Sequence, residues 1–235
     1  MRPVLLLGWN YLREQRVFII VLSIYLAAGT GWLALAPERP DVDDLTFIVK
    51  QQAEYAIVFG LFMTSGAIFT DRRTRRILLV LSKGIDRAHY LAGVYLGSVI
   101  ALAAYLFLSW LASAILLKRV GLAWTALAGV MVAALVATLL SSAVALFYST
   151  LMHPVLAVGA AVFTMSLPHV LATAFPVLDE VIPAYAISGA ILKWAPSRSL
   201  AIPLHFLVIG TVEIGVFLML ANFAFRGRDL ALTVD

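Results

Sequence analysis

Long apolar runs alternate with short polar segments along almost the whole chain. Six stretches of about 20 residues or more carry almost no ionisable side chain; they are residues 17–36, 51–70, 90–117, 125–152, 155–178 and 200–225. Because the hydrocarbon core of a bilayer is about 30 Å thick, a spanning helix needs about 20 apolar residues. The pattern predicts an all-α, polytopic membrane protein with six transmembrane helices, forming one domain over residues 1–235.

Two segments on the N-terminal side of the third span are predicted to lie at the membrane surface. Residues 1–16 mix apolar and polar side chains, which favours an N-terminal interfacial helix. Residues 71–89 hold four arginines and then a run of five apolar residues, 77–81, which is too short to span. We expect a short interfacial helix there, ended by Gly84 and followed by a helix that Asp86 caps.

The segment 179–199 is too apolar for an ordinary solvated loop. Pro183 and Gly189 disfavour a full span, so one or two short re-entrant helices are predicted. Such a segment has to be shielded by protein, because its backbone polar groups have no partners in lipid. Small residues predict close helix packing elsewhere: Gly93 and Gly97 on the third span, and residues 129, 133, 137, 141 and 145 on the fourth.

Composition supports a protein that uses lipid as its solvent. The chain is 63% apolar and 13% charged, whereas a soluble domain is about 45–50% apolar and about 25% charged. A water-soluble globule and a disordered chain are therefore excluded. The absence of cysteine also excludes a disulfide framework and a cysteine-based metal site.

The net charge of +4 reflects topology and gives no sign of a nucleic-acid partner. With a cytoplasmic N-terminus, eleven of the 17 Lys and Arg residues fall in cytoplasmic segments, and the positive-inside rule then places both termini inside. The eleven are Arg2, Arg13, Arg16, Arg72, Arg73, Arg75, Arg76, Lys83, Arg87, Arg226 and Arg228.

In layout and in one local motif, the chain resembles the transmembrane subunit of an ABC-2 type transporter. The local resemblance covers residues 68–77 (IFTDRRTRRI) and 79–83 (LVLSK), followed by Arg87, Tyr90, Gly93 and Gly97. The chain departs from the family pattern where its turn is rich in arginine rather than glutamate, and where Gly84 stands near a common proline.

The resemblance implies a permease of a bacterial-type inner membrane that exports rather than imports its cargo. Such a chain would bind neither ATP nor Mg²⁺ itself. Two permease subunits would form the pathway, as a homodimer or heterodimer, and separate ATPase subunits would bind ATP and Mg²⁺. Consistent with this, no Gly-Lys dipeptide of a phosphate-binding loop occurs in the chain. Residues 71–89 would form the coupling segment, with these expected ATPase contacts: Arg72, Arg75, Arg76, Lys83, Asp86 and Arg87.

Glu213 lies near the middle of the sixth span, where a charged side chain costs about 2.5–3.5 kcal/mol. It is either part of a translocation path or a buried carboxyl that bonds to a neighbouring helix or across a dimer. The apolar spans, with their few ionisable groups, mildly favour a lipid-like or amphipathic cargo over a small ion.

Two other classes of membrane protein remain as alternatives. An ATP-independent carrier or channel-like protein would show paired broken helices in two repeats, and no convincing repeat is found. An intramembrane serine hydrolase would need Ser141 or Ser142 beside a base such as His205. Met165 and His169 share a helix face, but no second pair of ligands supports a metal site.

Overall fold

The described part of the chain is entirely helical. The structure is a computed structural model that describes residues 2–35, 41–82, 84–121, 125–172, 174–175, 183–194 and 204–227. Within these residues it contains ten α-helices and no strand. They are α1 Arg2–Glu14, α2 Arg16–Leu35, α3 Val42–Ser65, α4 Ala67–Arg73, α5 Arg76–Ser82, α6 Arg87–Val120, α7 Thr125–Leu151, α8 Pro154–Leu171, α9 Ala184–Leu192 and α10 Leu204–Arg226.

Five helical segments of the described chain are long and apolar enough to cross a bilayer, and a sixth pass is formed if two bent helices count as one. The five are α3 together with α4, then α6, α7, α8 and α10. The bent pair is α1 and α2, whose axes differ by 63°. The prediction of a polytopic helical membrane protein is confirmed at this level.

The last turn of α1 and the last turn of α10 lie at one end of the bundle. We call α4, α5 and the turn between them the elbow (residues 67–82), and this end of the bundle the elbow end. Glu14, the last residue of α1, pairs there with Arg76 of the elbow. Arg226, the last residue of α10, lies 3.7 Å from Asp86 at the start of α6.

Two spans differ in length from the sequence prediction. The second span was expected to begin at residue 51, but α3 begins at Val42: Asp41 is its N-cap, and it forms a capping box with Asp44. Capping satisfies backbone N–H groups that a helix start leaves free, so the helix begins before its apolar stretch. The fifth span was expected to reach residue 178, but α8 ends at Leu171, three residues after Pro168.

Helix α7 is the centre of the bundle. It contacts α3, α4, α6, α8, α9 and α10, and 72% of its apolar stretch is buried, compared with 11% in α10. The predicted stripe of small residues explains the close contacts: Ala133, Ala137, Ser141 and Ala145 are all buried, whereas Gly129 at the end of the stripe is exposed. Small side chains let helix backbones approach closely in lipid.

A short helix compensates for the shortness of α8. At 1.5 Å per residue, the 18 residues of α8 reach about 27 Å, whereas the 27 residues of α7 reach about 40 Å. The nine residues of α9 match this difference, and α9 packs against both helices. Ile187 and Ile191 are buried there, so the predicted short helix exists and is shielded by protein. Its re-entrant position in the membrane stays a prediction.

Three glycines allow α1 to lie directly on the first part of α6. A Cβ atom on Gly97 would stand 2.6 Å from the carbonyl oxygen of Gly8, and one on Gly93 would stand 2.6 Å from Cβ of Leu7. Real Cβ atoms do not approach so closely, so these positions require glycine. The GxxxG pair predicted to mediate helix packing therefore does so, and its partner is the N-terminal helix.

Candidate functional site: the elbow and its polar network

The elbow is two short helices joined by a strained turn. α4 ends at Arg73, α5 begins at Arg76, and Arg75 between them has a φ of +56°. A residue with a Cβ atom adopts this left-handed conformation at a cost of about 1–2 kcal/mol. The predicted short helix over residues 77–81 is present as α5, and Gly84 follows it with a φ of +74°.

A buried carboxylate ties the elbow to α6. Asp71 is buried at the end of α4, and its Oδ2 accepts a short hydrogen bond from the hydroxyl of Tyr90. Tyr90 is itself buried, and its ring stacks on Phe225 with 5.9 Å between centroids. Because Asp71 and Tyr90 belong to different spans, this bond couples the elbow to the start of the third span.

An arginine continues this network to α1. The guanidinium of Arg76 lies 3.9 Å from Oδ1 of Asp71 and forms an ion pair with Glu14. Nearby on α1, the hydroxyl of Tyr11 donates to the carbonyl oxygen of Met63 on α3. We call Asp71, Tyr90, Arg76, Glu14 and Tyr11 the polar network. It joins α1, α3, α4, α5 and α6 at the elbow end.

The last turn of α10 is held by the residues that open α6. The guanidinium of Arg87 donates to the carbonyl oxygens of Phe225 and Arg226, at 2.9 and 3.0 Å. These carbonyls lack partners within their own helix, and a cation there also complements the helix dipole. Asp86 takes the N-cap position of α6, but its side chain makes no capping bond and faces Arg226 and His89.

The remaining arginines of the elbow point away from the network. Arg73 and Arg75 are exposed, and Arg72 is half-buried. None of the three forms an ion pair with another residue of the described chain. Like charges this close repel one another, so the elbow presents a concentrated positive charge that an acidic surface would relieve.

The predicted contact residues thus divide into two groups. Arg72 and Arg75 belong to the charged surface, whereas Arg76, Asp86 and Arg87 make contacts within the chain. Lys83 lies outside the described residues. Sequence reasoning missed Asp71 as the centre of the network. The sequence feature that could have revealed it is an acidic residue at the very end of an apolar span, directly before four arginines.

Glu213 occupies the middle of α10, as predicted, and is half-buried. Its Oε2 atom is buried and has no hydrogen-bond partner within the described chain. The intramolecular bond considered from the sequence is therefore absent for this oxygen among the described residues, and a translocation role or a bond across a dimer stays a prediction.

The histidines and serines considered for metal or hydrolase chemistry make other contacts within the described residues. No three His, Asp or Glu side chains come together in the described ranges. His169 stacks on Tyr185 at 4.2 Å, and His205 is exposed at the start of α10. The hydroxyls of Ser141 and Ser142 donate to carbonyls of their own helix, so neither is paired with a base.

Sequence comparison identifies no relative of this chain among protein families or curated proteins. No protein-family model matches the chain, and no curated protein matches it significantly. The features that bear on function are therefore the geometry of the elbow, the apolar helices and the resemblance of the layout.

Proposed function

We propose that this chain is the transmembrane permease subunit of an ATP-driven ABC-2 type transporter, working as an exporter. The single observation that carries the proposal is the elbow: a charged, helical segment that projects between two apolar passes and is tied to the bundle by buried polar bonds. A partner ATPase would dock on Arg72, Arg73 and Arg75. ATP and Mg²⁺ would be bound by that partner.

The polar network would allow the elbow to transmit force to α1 and α6. A push on α4 and α5 reaches α6 through the bond between Asp71 and Tyr90, and it reaches α1 through Arg76 and Glu14. The bond between Asp71 and Tyr90 is buried, and such a bond to a charged group is worth about 1.5–3 kcal/mol, so α4 and α6 resist separation. The partly exposed pair of Arg76 and Glu14 should contribute less than about 1 kcal/mol. The elbow, α1 and α6 would therefore move as a unit when the ATPase subunits close.

A second permease subunit would complete the pathway. α8 and α10 are buried over only 17% and 11% of their apolar stretches, so both present broad apolar faces. Such faces contact either lipid or another subunit. Membrane lipids and a second permease chain are accordingly the other partners that we propose.

Co-purification of this chain with an ATPase subunit from the same cells tests the proposal. We expect an ATPase subunit to bind the permease in detergent and its hydrolysis rate to change on binding. Arg75→Glu should weaken this complex at least about tenfold, because it reverses a charge in the exposed cationic group. Lys118→Glu is the matched control, since Lys118 is an exposed cation at the far end of α6.

Arg75→Gly separates binding from folding. Glycine adopts a positive φ freely, so this variant should unfold with a free energy about 1 kcal/mol higher than that of the parent chain while binding the ATPase more weakly. Unfolding in mixed micelles and pull-down measure the two quantities. If Arg75→Glu and Arg75→Gly both bind the ATPase like the parent chain, the proposed docking surface is wrong.

A further inference from the structure

One side of α1 combines exposed apolar side chains with a cation. All five side chains on this side are exposed, and we call them the outer face of α1: Leu5, Leu6, Trp9, Asn10 and Arg13. The two leucines and the tryptophan are each exposed by more than half. Leu5, Trp9 and Arg13 are spaced four residues apart, so they form one stripe along the helix. The described helices therefore leave a mixed apolar and cationic surface uncovered.

The opposite side of α1 is fixed against the bundle. A Cβ atom on Gly8 would stand 3.1 Å from the carbonyl oxygen of Gly93 on α6. Tyr11 is buried, and its hydroxyl donates to the carbonyl oxygen of Met63 on α3. The 20 residues of α2 are enough to span a bilayer, and α1 is bent away from α2 by 63°. α1 is therefore inclined closer to the plane of the bilayer than to its normal, and its outer face points away from the bundle.

Two cations at the junction of α1 and α2 have no counter-charge in the described chain. Arg13 on the outer face and Arg16, the first residue of α2, are exposed, and neither forms an ion pair with another described residue. Glu14 is the only acidic residue of α1, and its carboxylate pairs with Arg76 of the elbow. Two neighbouring positive charges therefore stay uncompensated beside apolar side chains that are exposed on the same helix.

We propose that the outer face of α1, together with Arg16, binds anionic phospholipids of the leaflet at the elbow end. Trp9 and the two leucines lie among the glycerol backbones and the first part of the acyl chains, where tryptophan is favoured. Arg13 and Arg16 rest their aliphatic stems on this apolar surface and extend their guanidinium groups to headgroup phosphates. Because a surface with negative net charge attracts basic residues beside it, an anionic headgroup is preferred over a zwitterionic one.

A lipid surface suits this face better than a protein partner does. A stable protein interface buries about 800 Å² on each partner and involves about 20–30 residues a side. The outer face of α1 has five side chains and belongs to a helix of 13 residues, which is enough to contact a few lipids. The inference goes beyond the proposed permease function and does not rest on it, since it involves neither an ATPase nor the exposed arginines of the elbow.

Quenching of a single fluorescent label by brominated lipids tests this surface. The chain has no cysteine, so Asn10→Cys supplies the only thiol, and a bimane attached there reports which lipids lie beside α1. The purified full chain is placed in phosphatidylcholine nanodiscs that contain a minor fraction of brominated phosphatidylglycerol. A matched set contains the same fraction of brominated phosphatidylcholine. Phosphatidylglycerol should be enriched at the label at least about threefold over phosphatidylcholine, as two arginines beside the headgroups predict.

Two comparisons assign the enrichment to the arginines of this surface. Arg13→Gln combined with Arg16→Gln should bring the enrichment ratio to about one. Lys118→Gln combined with Lys193→Gln is the control with the same change in net charge; both lysines are exposed and lie on other helices or at their ends, so the ratio should be unchanged. Added salt tests the parent chain without any substitution. The ratio should fall towards one, because screening acts over about 8 Å at physiological ionic strength and about 3 Å at 1 M.

Three results would overturn the surface. One is a ratio of about one in the parent chain at low salt, and another is a ratio that survives the double arginine substitution. The third is a label at Asn10→Cys that neither brominated lipid quenches, while a label at Thr211→Cys, exposed on α10, is quenched by both. In that case a second copy or another protein covers α1. No ATPase is present in this experiment, so its failure leaves the permease proposal standing, and failure of ATPase binding leaves the lipid surface standing.

Discussion

The chain holds two groups of buried polar residues, and they differ in whether their bonds are complete. At the elbow end, Asp71, Tyr90 and Arg76 satisfy one another across three helices. Near the middle of the passes, Tyr105 and Ser109 leave their hydroxyls without partners in the described chain. A completed network stabilises one arrangement of helices, whereas an unpaired buried polar atom lowers stability because its loss of hydration is not compensated. The two groups should therefore respond differently when a polar side chain is removed.

The largest effect is expected for Asp71→Ala in the completed network. Removing this carboxylate leaves the buried Tyr90 hydroxyl unpaired and deprives Arg76 of one of its two acids, so the free energy of unfolding should fall by about 3 kcal/mol. Denaturation with SDS in mixed micelles measures it. Asp86→Ala is the control, because its pairs are exposed and should be worth less than about 1 kcal/mol.

The contact between α1 and α6 should be the next most sensitive feature. Gly97→Val places a side chain against the carbonyl oxygen of Gly8 and the ring of Tyr11, which should lower the unfolding free energy by about 2 kcal/mol. Crosslinking between α1 and α6 should fall in parallel. Gly159→Val introduces the same side chain on α8 where nothing lies within 4 Å, and it should unfold like the parent chain.

A substitution of Glu213 tests whether the unpaired carboxyl oxygen in α10 lowers the stability of the chain. Glu213→Leu removes a buried oxygen that lacks a partner, so the unfolding free energy of the isolated chain should rise by about 1 kcal/mol. Thr211→Val, at an exposed position two residues away on the same helix, is the control. A fall in stability for Glu213→Leu would instead indicate that its carboxylate is bonded, for example to a second copy.

The smallest effect, and the sharpest contrast, is expected between two serines of α6. Ser109→Ala removes a hydroxyl without a partner and should change the unfolding free energy by less than about 0.5 kcal/mol, or raise it. Ser113→Ala removes a hydroxyl that donates to Gln52 at 3.1 Å and should lower it by about 1 kcal/mol. Equal losses at both positions would contradict the distinction between completed and incomplete groups.

The amino-acid sequence by itself determined the class of fold. Apolar stretches of about 20 residues require helices in a bilayer, because helices satisfy their own backbone. The short helix α5, the turn at Gly84, the short helix α9 and the GxxxG contact at Gly93 and Gly97 were likewise readable. Each depends on residues that are close in sequence, where local conformation and spacing carry the information.

Only the tertiary structure decided which polar residues meet. Asp71 and Tyr90 are 19 residues apart, and Arg87 and Phe225 are 138 apart; nothing in local spacing indicates either contact. For the same reason, the arginines of the elbow looked equivalent in sequence, whereas packing turned Arg76 inward and left Arg75 exposed. A cavity of about 150 Å³, lined in part by Tyr105, also arises between helices, since its shape depends on how α1, α2 and α6 pack rather than on any one of them.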